Sequence, residues 1–317
     1  MRSLTRRHTL GLGLAAPFLV QPAALASGRL RVTYVAAPFN LPSIVVRRRR
    51  MLEAAFQPVG VTIEQPEITS GAQQVQAMAA GAVDIASVLG GASAILGRAN
   101  GVELAVISAY SRSPKAFQIL AMPNGPRTLE ELRGKRIGGP MGTTLHQLLA
   151  AGLASAGLRL SDVRHINMDI PAARAALIAG SIDAATLAGN NALMAEAAGA
   201  RIIADGEGLI APTTVIAATR EFIDRQRPLL DRYLSVHRAS LAFIRSQRAE
   251  ALAMGADEQK ISLADAERMF AWYDFSPAIT PADIAALNAE QVFMQEAGML
   301  RRGIEIGRDL IHPMALG

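Results

Sequence analysis

The chain of 317 residues contains no cysteine. That absence excludes a disulfide framework, thiolate metal ligation and a cysteine nucleophile. Catalytic signatures are also missing. The five histidines, His8, His146, His165, His237 and His312, have no metal-ligand spacing. There is no Gly-x-Ser-x-Gly elbow, and no Walker lysine follows the glycines of 138–142. A Gly-x-Gly-x-x-Ala match at 11–16 falls inside an apolar leader, so it makes no dinucleotide site. No run approaches the ~20 apolar residues of a spanning helix. No metal, no cofactor and no catalytic residue are expected.

Net charge is scarce once the leader is set aside. "MRSLTRRHTLGLGLAAPFLVQPAALASG" has a basic start, an apolar middle from Leu10 to Val20 and a small-residue ending at Ala24-Leu25-Ala26. This is the layout of an export signal over residues 1–26, cleaved after Ala26. Arg6-Arg7 followed by His8-Thr9-Leu10 resembles a twin-arginine signal, so both the general and the twin-arginine routes stay open. The leader holds Arg2, Arg6 and Arg7 and no acid, which leaves 29 basic against 27 acidic residues. Such a balance gives no support to nucleic-acid binding. One basic cluster remains, Arg47 to Arg50, on a helix predicted over 43–56. It is either a solvated face or a docking patch for a partner or an acidic membrane surface.

What the sequence does contain is a repeat. "AMAAGAVDIASVLGGASAILGRANG" from Ala77 overlays "ALIAGSIDAATLAGNNALMAEAAGA" from Ala176. Gly81 meets Gly180, Asp84 meets Asp183, Ser87 meets Thr186 and Gly90 meets Gly189. Each copy reads as a helix stopped by glycine, a short apolar strand, a glycine break, a second helix and a further strand. Alternating helices and short apolar strands predict α/β units with parallel sheets. Half of the residues are hydrophobic, enough for a large core in one big or two ordinary domains. From about Pro228 onward the pattern is helical, with Leu229, Leu230, Tyr233 and Leu234 in one stripe.

In open α/β sheets ligands sit beyond the carboxyl ends of the strands. The stretch "GPMGTTLHQLL" follows such a strand. With Thr143 as N-cap, Leu145, Leu148, Leu149 and Leu153 form the buried side of a helix beginning at Thr144. Its first amides and positive dipole end favour an anion. Gly142 permits close approach, Thr143 and Thr144 add hydroxyls, and His146 lies in the first turn. Ordinary capping by threonine is the other reading. Asn190 and Asn191 take the equivalent place in the second copy, where Gly91 and Ala92 stand in the first. Ser70-Gly71 is another amide-rich helix start, for binding or for capping.

The order "SGAQQVQAMAAGAVDIA", "LEELRGKRIGGPMGTTLHQLL" and "AALIAGSIDAA" resembles the periplasmic solute receptors of ABC importers. The nearest branch is the aliphatic sulfonate, taurine and nitrate group, and the resemblance runs from about Leu30 to Leu300. It implies a type II periplasmic-binding fold with two α/β lobes and a ligand cleft between them. The expected lobes are 29–111 with 214–317, and 112–213, joined near 110–115 and 208–214. It further implies a small anionic or polar solute, a membrane permease with its ATPase as partners, a monomer, and no catalysis. By resemblance Gly142, Thr143, Thr144 and His146 meet the anionic end of the ligand. Pro38, Phe39, Asn40, Ser70, Gly71, Gly90 and Gly91 line the first lobe. Sulfonate and taurine receptors often carry an aromatic-acidic pair after the second repeat strand. Gly189-Asn190-Asn191 stands there instead, which argues against an amine-bearing ligand. An enzyme on the same scaffold, with His146 and Glu207 as acid and base, is the rival reading, and a ligand sensor a third.

Overall fold

The computed structural model describes residues 28–316, so the expected signal at 1–26 lies outside the described residues. Strand β1 (Arg29–Arg31) leads into helices α1 (Leu41–Arg48) and α2 (Met51–Phe56) and strand β2 (Thr62–Glu64). Helix α3 (Gly71–Ala79), strand β3 (Ile85–Gly90), helix α4 (Gly91–Ala99) and strand β4 (Leu104–Arg112) follow. The chain continues through β5 (Phe117–Ala121), β6 (Arg136–Gly139), α5 (Thr144–Ser155) and β7 (Arg164–Asn167). Next come α6 (Ile170–Ile178), β8 (Ala184–Ala188), α7 (Asn190–Ala197), β9 (Arg201–Asp205) and β10 (Thr213–Thr219). Helices α8 (Arg220–Arg225), α9 (Arg227–Ser246), α10 (Arg248–Gln259), α11 (Leu263–Phe270) and α12 (Pro281–Glu296) complete the main elements.

The strands form two sheets of the same design. One runs β7-β6-β8-β5-β9. The other runs β3-β10-β4, extended by the β1-β2 pair through a parallel bridge from Val32 to Ile85. Neither sheet is wholly parallel, which corrects the sequence expectation. β10 is antiparallel to both β3 and β4, and β5 is antiparallel to both β8 and β9. The reason lies in the connections. Residues 113–116 carry the chain from the first sheet to the second, and 206–212 carry it back. A strand entering from the facing sheet starts at the end where its neighbours finish, so it runs against them. Gly81 and Gly180 stop α3 and α6 with φ of 65° and 71°, as a left-handed helix stop requires.

Each sheet is covered on both faces. On the first, Leu30, Phe56, Ile107, Ile216 and Leu230 pack one side, and Met78, Ile95, Val215 and Leu287 the other. The second buries Ile119, Ile137, Leu148 and Leu153 against α5, and Leu120, Leu177 and Leu187 against α6 and α7. A further cluster joins the two units, with Phe39, Val45, Leu252 and Met269 around Leu193 of α7.

The predicted single helix over 43–56 is broken. Arg50 adopts φ 51°, separating α1 from α2. The break lets the arginines spread onto neighbouring elements. Arg48 meets Asp257 at 2.8 Å, Arg49 meets Glu250 at 2.8 Å, and Arg47 stacks 4.0 Å over the Tyr34 ring. The cluster is therefore matched largely by the acids of α10.

Candidate functional site

The glycines before α5 are explained by what crosses them. A Cβ on Gly138 would stand 2.6 Å from Ile182 Cδ1 and 2.9 Å from Met168 Sδ, and one on Gly139 would collide with Thr186 Oγ1. Thr186 has no exposure, and its hydroxyl has no hydrogen-bond partner among the described residues. The chain then turns through Gly142 at φ 72°. The Met141 amide donates to Asn167 Oδ1 at 3.0 Å, and the Gly142 amide to His146 Nδ1 at 3.2 Å.

Thr143 is the N-cap residue, but its side chain does not cap the helix. Its hydroxyl donates to the Pro140 carbonyl at 3.0 Å. The amides of Thr144, Leu145 and His146 consequently take no partner among the described residues. The helix behind them is 12 residues long and holds no acid in its first turn. Unpaired amides at a positive dipole end are suited to an anionic oxygen.

His146 keeps this turn in shape. Its Nδ1 accepts the Gly142 amide, so the neutral ring carries its proton on Nε2. Burial holds both His146 and His165 below the ordinary imidazole value. Their rings lie 5.1 Å apart, and both His165 nitrogens are buried without partners. On the other side, Phe293 of α12 meets His146 edge-on at 5.7 Å. Met299 Cε lies 3.2 Å from the place a Gly142 Cβ would take. Phe293 of α12 and Met299 just after it, both from the first sheet's unit, thus cover the first turn of α5.

Other residues singled out in the sequence take varied places. Pro38 meets Gly189, whose Cβ position is 2.5 Å from Pro38 Cβ, beside the half-buried Asn190 and Asn191 at the start of α7. Phe39 is fully buried in the cluster between the units, 6.4 Å from Tyr273. Asn40 is buried too, and its Nδ2 donates to the Ala37 carbonyl at 2.6 Å. Ser70 caps α3 by accepting the Gln73 amide at 3.5 Å, and Gly71 packs on Ser93. Gly90 is exposed, whereas Gly91 lies under Leu287 and Glu290 of α12.

Two charged groups find their partners elsewhere. Arg112 binds Asp283 twice at 2.6 Å and donates to the Ser276 and Ala278 carbonyls at 2.8 Å. Glu207 pairs with Lys115 at 3.0 Å, tying one crossing to the other. His146 and Glu207 are thus each engaged with a different group. Among the described residues no three His, Asp or Glu side chains group as metal ligands, and no helix is long and apolar enough to span a membrane.

Glu290 is the residue the sequence reading missed. It sits on the buried stripe of α12 with Leu287, Gln291 and Met294. An acid at helical spacing among apolar residues is the signal that could have found it.

Comparisons with known proteins bear on the fold and the family. A provisionally named aliphatic sulfonates-binding protein of Escherichia coli (strain K12) is 26% identical over 300 residues, 93% of this chain and 90% of its own. The crystal structure of the periplasmic aliphatic sulphonate binding protein SsuA from Escherichia coli superposes with a TM-score of 0.81. It covers 91% of this chain and 94% of that one, at 22% identity. The desulfurization enzyme DSZB shares the fold at a TM-score of 0.69 and 15% identity, over 91% and 97% of the two chains. These structural likenesses establish the periplasmic-binding fold. The sequence profile of the NMT1/THI5-like family matches residues 56–251, more than half of the chain, and the protein belongs to that family.

Proposed function

We propose that the protein is a solute receptor of an ABC import system that works outside the cytoplasm. It holds a small sulfonate-like organic anion between two lobes and presents it to a membrane permease with its ATPase. No chemistry is done on the solute. The lobes are residues 29–111 with 214–317, and 112–213. Their support is the membership of the two sheets and the crossings at 113–116 and 206–212.

The observation that carries the reading is the start of α5. Three amides there have no partner among the described residues, Thr143 turns its hydroxyl away, and Phe293 of α12 and Met299 just after that helix close over the turn from the facing unit. A solute anion placed on those amides would be gripped between the lobes. Ligand binding would then favour the closed state by its extra contacts with α12. The names of the similar proteins point to sulfonates as the anion class.

A thermal-shift screen of the refolded, ligand-stripped protein tests this. The panel spans alkyl sulfonates, nitrate, sulfate, carboxylates and pyrimidines. A ligand at 100 times its dissociation constant adds about 2.7 kcal/mol of stability. A shift with organic anions, with the compound recovered unchanged, is expected. Conversion of the compound would establish an enzyme instead.

A further inference from the structure

We infer that Glu290 is a specificity-determining residue of this site, its carboxylate receiving an ammonium or hydroxyl group on the solute whose anionic end rests on α5. The inference depends on the receptor reading above, and it deepens that reading by naming the other end of the solute.

The first ground is burial without a counter-charge. Glu290 is 6% exposed. Among the described residues no cation pairs with it, and Arg112, which reaches α12, is taken by Asp283 two turns earlier on that helix. Burial pushes the Glu290 carboxyl up to about 7, opposed by the Ala92 amide at the start of α4. One main-chain amide meets only part of a carboxylate's accepting capacity, and a further donor would stabilise its charged form.

The second ground is position. Oε2 of Glu290 lies 2.6 Å from where a Gly91 Cβ would stand, directly over the first residues of α4, with the exposed Gly90 alongside. One turn further along α12, Phe293 touches His146 in the first turn of α5. Glu290 therefore stands between two helix starts that belong to facing sheets. One start, at α5, is open to an anion. At the other, the protein has placed its own carboxyl group.

That arrangement selects a two-ended solute. An acid placed over α4 repels a second anionic group there and rewards a donor. The acid comes from α12 on the facing side, so an amine-bearing anion is favoured after all. A capping role alone, with Ala92, would be met equally by a neutral glutamine carbonyl. Glu290→Gln separates the two roles.

The test is calorimetric titration at pH 7.5 with two isosteric series. These are propane-1-sulfonate, 2-hydroxyethanesulfonate and 2-aminoethanesulfonate, and the three matching carboxylates. The native protein should bind the amino or hydroxyl member at least roughly tenfold more tightly than the alkyl member, as a charge-assisted bond requires. In Glu290→Gln that preference should fall below about threefold. If the alkyl members bind with no donor preference, the inference is overturned while the receptor reading stands. A preference that survives in Glu290→Gln also overturns it. If no member of either series binds, the inference is overturned, and the receptor reading is decided by the wider thermal-shift panel. The native comparison decides the matter even where the variant does not fold.

Discussion

Arg31 holds Asp84 through three hydrogen bonds. Its main-chain amide and Nε donate to Oδ2 at 2.9 and 3.1 Å, and Nη2 donates to Oδ1 at 2.7 Å. Arg136 holds Asp183 in the same way, at 2.8, 3.2 and 2.9 Å. The guanidinium of each also reaches the carbonyl of the glycine that stops the preceding helix, Gly81 or Gly180. The Gly-x-x-Asp of the repeat is thus a clip. It fastens β1 to the start of β3, and β6 to the start of β8, fixing the strands whose far ends carry the helix starts of the site.

The two clips should differ in strength. The Arg31 and Asp84 side chains are 32% and 15% exposed, against 42% and 29% for Arg136 and Asp183. Asp84→Ala should cost about 2 kcal/mol in urea unfolding. Asp183→Ala should cost about 1 kcal/mol, since solvent screens its partner more. The bond from Arg136 holds the Asp183 carboxyl below its ordinary value, so its contribution is present above about pH 4 and is lost as the pH falls further. A cost at Asp183 equal to or larger than that at Asp84 contradicts this account.

Gly139→Ala should be overpacked, because its Cβ would collide with Thr186 Oγ1. A loss of about 1–3 kcal/mol is expected. Adding Thr186→Ala should recover at least about 0.5 kcal/mol relative to the sum of the single changes. Strict additivity in a double-mutant cycle would show that the two side chains do not meet.

Arg112→Ala should cost about 3 kcal/mol, because it strands Asp283, which is 5% exposed at its side chain. Solute affinity should stay within about twofold, a change of less than 0.5 kcal/mol. A large fall in affinity with stability intact would place the arginine in the cleft.

Acid should destabilise the fold through its histidines. Burial depresses His237 to about 4, with Arg238 adding to the effect, and its Nε2 has no partner. A depressed histidine stabilises the fold above its unfolded value of about 6.5 and loses that contribution as pH falls toward 4. Glu290 works in the opposite sense. Its raised value means stability falls as pH rises through the interval from about 4.5 to 7. Thermal midpoints from pH 4 to 8 should therefore pass through a maximum. His237→Phe should flatten the acid limb, and Glu290→Gln the neutral one.

The sequence made the local elements legible. The glycine stops, the leucine face of α5 and the stripe of α9 follow from periodicity and φ requirements that act within a few residues. Long-range pairing was not legible. β10 lies between β3 and β4 although more than one hundred residues separate it from them, and its pattern is only that of another apolar strand. The helix break at Arg50 was equally hidden, since arginine is a good helix former. The acids of α10 that receive Arg48 and Arg49 are some two hundred residues away. At the proposed site, the helix start of α5 was readable because glycines and threonines advertise it. Phe39 and Asn40 sit beside the site in sequence but are buried in the core, and Glu290 enters from a distant helix.

The central claim is that a solute anion rests on the first amides of α5. Amide chemical shifts of Thr144, Leu145 and His146, followed by NMR during titration with the tightest-binding organic anion, test it most directly. The account predicts that these three move most, and saturate together with the calorimetric isotherm. A ligand that binds tightly while these amides stay in place would contradict it.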